Sequence, residues 1–215
     1  MSANLHRFIT VPLFCVLCLF VQIAILPDLR LPLPFAMEDF FIADWLQQTL
    51  PLTAHALQQG ELWRVVSYAL LHGSWWHLMA NLFGLWITGR TLEQHFGKRT
   101  TCLILLFGAI AGAVGFIATL LLDPRLTPNM TCIGASALLT ACIGALSTAA
   151  PKADVTLFIT LLPLRLKAFW LIPFMLILLI AESLYTQLGT AYGAHLGGWL
   201  IGLLIGHSAQ CEASK

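Results

Sequence analysis

The sequence predicts an all-α polytopic membrane protein with six transmembrane helices and a long external first loop. Of its 215 residues, 59% are hydrophobic and only 10% are charged, and the mean hydropathy is +0.84. A soluble domain of this length would carry more charge on its surface. The apolar residues also form runs close to the roughly 20 residues that a helix needs to cross a bilayer.

Six apolar runs are the predicted spans, and together they make residues 1–215 a single membrane domain. The first run follows Arg7 and resembles a secretory signal, but it is long and lacks a small-x-small cleavage site, so we expect it to be retained. The segment 151–167 is apolar only over a short stretch and predicts a cytoplasmic loop lying partly in the interface. The spans lie near residues 8–26, 75–94, 101–122, 133–150, 169–186 and 192–206.

The basic residues predict the orientation of the spans. With six spans, only three of the basic residues, Arg30, Arg64 and Arg125, fall on the side of the membrane opposite to the two termini. By the positive-inside rule, both termini are expected to be cytoplasmic. The first external loop, residues 27–74, is acidic but rich in aromatic residues, which is typical of a segment at the interface. The short loops and the lack of an organellar targeting segment favour a bacterial cytoplasmic membrane. The basic residues on the same side as the termini are Arg7, Arg90, Lys98, Arg99, Lys152, Arg165, Lys167 and Lys215.

Charge and cysteine content argue against several function classes. The net charge is +1 and no basic run is present, so a nucleic acid partner is not expected. The six cysteines are scattered, and the Cys15-x-x-Cys18 pair lies within the first span without a second pair of ligands. Structural burial is therefore favoured over metal binding or a disulfide, and no cofactor is predicted.

Three polar residues fall at one predicted depth of the membrane. Spans two, four and six all run inward from the external face, and His77, Ser136 and His195 lie near their starts. Polar groups at this depth normally face the bundle interior or a wet cavity. A hydroxyl and an imidazole within hydrogen-bond reach make nucleophilic catalysis possible. The alternative is that these side chains only form hydrogen bonds between helices.

Small residues recur one turn apart in spans four and six. Such stripes let two helices approach closely, and close approach would bring the Ser136 hydroxyl to the His195 ring. The same stripes also occur in bundles without catalytic activity. The first stripe is Ser136, Thr140, Gly144 and Thr148, and the second is Ala194, Gly198, Gly202 and Gly206.

His77 and Asn81 are spaced i, i+4 and therefore project from one face of the second span. Together with the Ser136 amide at the start of its helix, they could donate hydrogen bonds to an oxyanion. The alternative is a pair of interhelical hydrogen bonds.

These motifs together resemble those of the rhomboid intramembrane serine proteases, over residues from about Trp63 to Gly206. The resemblance implies a six-helix rhomboid-like bundle. It implies Ser136 as nucleophile, His195 as general base and acid, and His77, Asn81 and the Ser136 amide as the oxyanion hole. No third aspartate is needed, and none occurs at matching depth in the last three spans. The matching positions are Trp63-Arg64, His72, His77, Asn81, Gly89, Glu93, Gly134-x-Ser136, Ala194-His195, Gly198, Gly202 and Gly206.

The resemblance also implies a function and structural roles. The substrates would be single-span membrane proteins, cut near the external interface through an acyl-enzyme, with the lipid bilayer as the surroundings. Trp63-Arg64 would tie the external loop to the interface, and Gly89 to Glu93 would stabilise the cytoplasmic end of span two. The resemblance predicts neither the oligomeric state nor specific substrate-binding residues. Candidate walls of a lateral gate are Trp75, Trp76, Phe169, Trp170 and Phe174, and His72, Ser74 and the loop 187–193 are expected at the external opening of the cavity.

Two residues depart from the pattern of the family. Ala137 follows Ser136 where glycine is usual, and Thr140 stands where many members carry an aromatic residue packed on the catalytic histidine. Ala137 supports one alternative, a catalytically inactive pseudoprotease that binds membrane clients. The compact size suits a second, a rhombosortase-like enzyme that trims C-terminal anchors. A channel or transporter is less favoured, because no inverted repeat or Gly/Pro-broken pair of helices appears in matching halves.

Overall fold

The computed structural model describes residues 10–25, 42–124, 126–159, 162–184 and 191–213. Within these ranges the chain is mostly helical, with one small hairpin. The helices are α1 (Thr10–Ala24), α2 (Ile42–Thr49), α3 (Ala54–Gln58), α4 (Arg64–Ser67), α5 (Trp75–Leu122), α6 (Ser136–Ala149), α7 (Leu171–Leu184) and α8 (Ala191–Ala213). Short 3₁₀ turns at Tyr68–Leu70 and Ala168–Trp170 precede α5 and α7, and the strands are β1 (Asp154–Ile159) and β2 (Leu162–Lys167).

Helix α5 contains two of the predicted spans. Its first turn is capped by Ser74, whose Oγ accepts a hydrogen bond from the His77 amide at 3.1 Å. The loop predicted between the two spans is replaced by a break at Gly97, where φ is 78° and a side chain would be strained. Of the described helices, α5 alone is both long and apolar enough to cross a membrane, whereas α1, α6 and Ala168–Leu184 are apolar but shorter. That six helical segments each cross a bilayer stays a prediction.

Helices α6 and α8 form the tightly packed centre of the bundle. Most of α6 is buried, including Ala137 and Leu146 with no exposed surface. The last helix lies so close that a methyl group on Gly198 or Gly202 would overlap a backbone carbonyl of α6. The two stripes of small residues predicted this close approach, and the prediction is confirmed.

A second face of α8 packs equally closely against α5, which the stripes did not predict. A methyl group on Gly193 would meet the Gly115 backbone, and one on Gly197 would meet the Ala111 carbonyl. Small residues on two faces let α8 lie between α5 and α6. The residues near its N-terminus are therefore held on both sides.

A β-hairpin connects α6 to the 3₁₀ turn before α7. Strands β1 and β2 pair antiparallel from Asp154 opposite Lys167 to Ile159 opposite Leu162, and Lys167 Nζ forms an ion pair with Asp154 Oδ1 at 2.7 Å. The segment 151–167, predicted as a cytoplasmic loop, therefore contains a hairpin that the sequence analysis did not predict, and its position at the membrane interface stays a prediction. The β-branched and aromatic residues of β1 favour a strand, and the pairing also satisfies backbone groups that an unpaired segment would leave open.

Part of the external loop is folded into short helices held by Arg64. This buried guanidinium forms an ion pair with Glu61, and its Nη1 donates to the Pro51 carbonyl at 2.7 Å. Trp63 Nε1 donates to the Thr49 carbonyl at 3.1 Å, and the indole is 54% exposed. These contacts hold the loop together, and the expected attachment of Trp63-Arg64 to the membrane interface stays a prediction. Residues 26–41, which complete the predicted long loop, lie outside the described residues.

Gly89 and Glu93 bring the first helix against α5. A methyl group on Gly89 would lie 2.7 Å from Val11 Cγ2, so glycine leaves room for α1. Glu93 is buried, and its Oε1 accepts a hydrogen bond from the Thr10 amide at 3.3 Å, which satisfies a free N–H at the start of α1. These contacts match the stabilising role that the sequence predicts for this end of the second span.

Candidate active site

The turn that leads into α6 is held by residues just before α5. Gly134 has φ 109°, a conformation that favours glycine, and its amide donates to the Tyr68 carbonyl at 2.9 Å. The next amide, of Ala135, donates to His72 Nε2 at 3.3 Å. Ser136 then begins α6, so its position is set by two hydrogen bonds from the preceding turn.

His72 acts as a neutral acceptor in this arrangement. Burial, and secondly the adjacent His77 ring, lower the pKa of His72 to about 4. The ring is therefore uncharged at neutral pH, with Nε2 free to accept and the proton on Nδ1. Sequence analysis expected His72 and Ser74 at the opening of the cavity, but His72 is buried against Ala135 and Ser74 caps α5.

Ser136 and His195 form a direct hydrogen bond. Their Oγ and Nε2 atoms lie 2.7 Å apart, although the residues are 59 positions apart in the chain. The sequence predicted that close packing of α6 and α8 would bring these side chains together, and it does. A hydroxyl that donates to an unprotonated imidazole nitrogen can lose its proton to that nitrogen, which is the arrangement that nucleophilic catalysis requires.

Glu182 of α7 contacts the other nitrogen of the same ring. His195 Nδ1 lies 2.8 Å from Oε2 and 3.0 Å from Oε1 of this carboxylate. A carboxylate accepts but does not donate, so we assign the ring proton to Nδ1 and leave Nε2 free for the serine hydroxyl. Both side chains are partly exposed, at 16% for His195 and 27% for Glu182.

Glu182 was not among the predicted site residues, since the resemblance implied no third member and no aspartate occurs at matching depth in the last three spans. The residue falls within the predicted span 169–186, and it is the single ionisable residue of α7. An ionisable residue in an otherwise apolar span normally faces a partner or a wet cavity, and this signal was available in the sequence.

His77 and Asn81 lie over the turn that precedes the serine. The His77 ring comes within 2.7 Å, and Asn81 Nδ2 within 3.6 Å, of the point where a Cβ on Gly134 would stand. Asn81 is only 4% exposed, and its Nδ2 finds no acceptor among the described residues. A buried, unpaired donor beside the serine is available to hold developing negative charge.

A cavity of about 370 Å³ connects the Ser136–His195 pair to the space between α5 and α7. Most of its walls are apolar, including Phe83 of α5 and Phe174 of α7, and it extends as far as Thr156 of the hairpin. Of the aromatic residues expected at a gate, Phe174 lines this cavity. Trp75, Trp76, Phe169 and Trp170 are exposed at helix ends and lie outside the described lining, and most of the loop 187–193 lies outside the described residues.

The two departures from the family pattern have different surroundings. Ala137 is fully buried, and its methyl group faces Gly112 of α5, where a second Cβ would be only 2.5 Å away. The methyl group therefore occupies the helix interface and not the described cavity lining. Thr140 does line the cavity, with its hydroxyl donating to the Ala137 carbonyl at 3.0 Å.

Comparison with known families agrees with these features. A family model described as the Rhomboid domain matches residues 59–209, which is more than two thirds of the chain. The chain belongs to the rhomboid family. The matched range includes the Ser136–His195 pair, Glu182, the two candidate oxyanion donors and all of the cavity walls.

Several named rhomboid proteins are similar to this rhomboid. Rhomboid-type serine protease 2 of Yarrowia lipolytica is 27% identical over 183 residues, 82% of this chain and 60% of that protein. RHOMBOID-like protein 5 of Arabidopsis thaliana is 28% identical over 156 residues, 72% of this chain and 46% of that protein. Rhomboid protease GluP of Bacillus subtilis is 36% identical over 90 residues, which are 42% of this chain and 16% of that protein. The chain spans about half the length of the first two relatives that it matches.

Proposed function

We propose that this rhomboid is an intramembrane serine protease in which Ser136 is the nucleophile and His195 the general base. The observation that carries the proposal is the 2.7 Å hydrogen bond between Ser136 Oγ and His195 Nε2, at the end of a cavity between helices. The names of its relatives, which include serine proteases of the same family, support the reaction class.

The reaction would proceed by acyl transfer. His195 Nε2 removes the hydroxyl proton as Ser136 Oγ attacks a peptide carbonyl, and the protonated ring then delivers that proton to the leaving amine. Water, activated by the same nitrogen, hydrolyses the acyl-enzyme. The Ser136 amide lies at the positive end of α6, and His77 and Asn81 stand beside it, so these groups would hold the oxyanion.

The cavity supports a membrane-embedded substrate. It lies between α5 and α7 and has mostly apolar walls, which suits a segment that enters sideways from lipid. We expect a single-span protein whose helix unwinds at the cut, because a peptide bond within an intact helix is shielded by its own hydrogen bonds. Glycine or proline near the cut would favour this unwinding.

The proposal includes the arrangement of the chain in the membrane. Six spans with both termini cytoplasmic place the starts of α5, α6 and α8, and hence the site, towards the external face. A bacterial cytoplasmic membrane is the expected location. Residues 1–215 would form this single domain, with the lipid bilayer around it.

The inactive alternative rests on Ala137, and the surroundings of this residue weaken it. The methyl group packs against Gly112 in a helix interface and leaves the serine and the cavity free. Rhombosortase-like trimming of C-terminal anchors is a narrower version of the same chemistry, and the choice between the two depends on the substrate.

Reconstitution in liposomes with a labelled single-span test substrate would test the proposal. We expect cleavage by the parent chain and none by Ser136→Ala or His195→Ala. His207→Ala and Ser208→Ala are matched controls, because both side chains are exposed towards the C-terminal end of α8. Cleavage that survives Ser136→Ala would overturn the site assignment, and a parent chain that neither cleaves nor reacts with a fluorophosphonate would favour the pseudoprotease.

A further inference from the structure

Glu182 is a charged residue in an otherwise apolar helix, which is unfavourable unless the carboxylate has a specific partner. It is the one ionisable residue of α7, whose other residues in the membrane segment are almost all apolar. Keeping a carboxylate at membrane depth costs free energy, and this cost is reduced by a partner or by a wet cavity. The described part of the chain gives Glu182 both, since it borders the cavity and bonds to His195.

The geometry of the contact places the carboxylate on the side of the ring away from the serine. Nδ1 of His195 is 2.8 Å from Glu182 Oε2, and Nε2 is 2.7 Å from Ser136 Oγ. Both carboxylate oxygens lie within 3.0 Å of Nδ1. The three side chains thus form a continuous hydrogen-bonded chain that runs from α7 through α8 to α6.

We propose that Glu182 is a positioning residue that acts through His195, so that the site operates as a serine–histidine–glutamate triad and not as a dyad. This inference rests on the proposed protease function. Glu182 keeps the ring proton on Nδ1, which leaves Nε2 unprotonated and directed at the serine hydroxyl.

During attack, the carboxylate stabilises the charge that forms on the ring. As the bond from Ser136 Oγ to the substrate carbon forms, the hydroxyl proton passes to Nε2 and the carbonyl electron pair moves to oxygen. The ring is then an imidazolium with protons on both nitrogens, and the Glu182 carboxylate accepts the Nδ1–H bond without taking the proton. Among the described residues, His77 of α5 is a further titratable group close to this ring.

Three substitutions separate the charge of Glu182 from its shape. Glu182→Gln keeps the length but removes the charge, Glu182→Asp keeps the charge on a shorter side chain, and Glu182→Ala removes both. We expect kcat to fall roughly 10- to 1,000-fold in Glu182→Gln with KM within about threefold of the parent. Glu182→Asp should retain more activity than Glu182→Gln. Ser183→Ala is the control, since its side chain is exposed on the same helix and, within the described residues, bonds to the Ile180 carbonyl.

A second measurement does not depend on turnover. In protein labelled with ¹⁵N-histidine, the His195 signal, assigned by its loss in His195→Ala, should report a proton held on Nδ1. The signal should shift towards a mixture of tautomers in Glu182→Gln and stay unchanged in Ser183→Ala.

The outcomes distinguish the triad from the proposed function itself. A parent chain that does not cleave, but shows the Nδ1 tautomer lost in Glu182→Gln, would contradict the protease and leave the Glu182 contact intact. An active parent whose kcat and tautomer are both unchanged in Glu182→Gln would overturn the triad and keep the dyad. Equal losses in Glu182→Gln, Glu182→Asp and Glu182→Ala, together with an increased KM, would show a role in packing and also overturn the proposal.

Discussion

Gly198 of α8 lies against the backbone carbonyl of Ala137 in α6, with no room between them for a methyl group. Ala137 directly follows Ser136 in α6, and Gly198 lies about one turn along α8 from His195. The distance between the two helices at this level therefore sets the distance between the serine and the histidine. The architecture and the proposed chemistry depend on the same close approach.

Substitution of Gly198 tests this dependence. In Gly198→Ala, the new methyl group would overlap the Ala137 carbonyl and also lie 2.6 Å from Thr140 Oγ1, so α8 must move away. We expect the rate of cleavage to fall by roughly tenfold or more, because a displacement of about 1 Å at a reacting group has an effect of this size. Gly73→Ala is the control, since a Cβ there makes only an ordinary contact, 3.6 Å from Ile133 Cδ1. Equal cleavage by Gly198→Ala and Gly73→Ala would show that the approach of α6 and α8 at Gly198 does not control the serine–histidine distance.

Asn81→Ala should slow the reaction without weakening substrate binding. The unpaired Nδ2 of Asn81 is the best available donor to an oxyanion, and loss of one such donor lowers kcat by roughly 100- to 1,000-fold. Measurement of kcat and KM separately in liposomes checks this, with Thr91→Ala further along α5 as the control. A higher KM with unchanged kcat would mean that Asn81 binds substrate instead of the transition state.

His72 should make the protein less stable in acid. Its pKa is about 4 in the folded protein and 6.5 in an exposed side chain, so the unfolded chain binds the proton more readily. The stabilisation is complete above pH 6.5 and is lost as the pH falls towards 4, by about 2 kcal/mol at about pH 4.5. Thermal unfolding of the parent and His72→Gln between neutral pH and about pH 4.5 checks this.

The controls for His72 use two other histidines. His55→Gln removes an exposed ring on α3 and should leave the pH dependence of the parent unchanged. His77, whose ring centroid lies 5.0 Å from that of His72, is present in both proteins, so the difference between them reports His72 together with its coupling to His77. Identical unfolding curves for the parent and His72→Gln at both pH values would refute the prediction.

Ala137→Gly should lower stability and not raise activity. The methyl group fills the space left by Gly112, so its removal leaves a small void and adds flexibility to a helix. The expected loss is about 1 kcal/mol in the free energy of unfolding, with kcat changed less than about twofold because the cavity lining is unaffected. A large gain in cleavage would show instead that Ala137 restricts the active site. Ala141→Gly, one turn further along α6, is the comparison variant for both the free energy of unfolding and kcat.

The parts of the fold that follow from local pattern were predictable. Apolar runs indicated where α1, α5, α6, α7 and α8 lie, and the repeat of small residues predicted that α6 and α8 pack closely. His77 and Asn81 share a helix face because of their spacing alone. These features depend on side-chain size and helical periodicity, which the sequence records directly.

The features that were missed depend on contacts between distant segments or on a single backbone angle. The break within α5 depends on a single residue, Gly97, at φ 78°, and the hairpin depends on the register between Asp154 and Lys167. The apolar surroundings of Glu182 in α7 were visible in the sequence, but its contact with His195 Nδ1 depends on the packing of α7 against α8. Helical periodicity alone cannot predict these arrangements.

Labelling with a fluorophosphonate, followed by peptide mass spectrometry, tests the central claim most directly. The reagent reacts with serine hydroxyls activated by a base, so the account predicts one adduct on Ser136. This adduct should be lost in His195→Ala and retained in Ser208→Ala. An active parent that carries its adduct on another serine, or a Ser136 adduct that forms equally well in His195→Ala, would contradict the assignment of Ser136 and His195 as nucleophile and base.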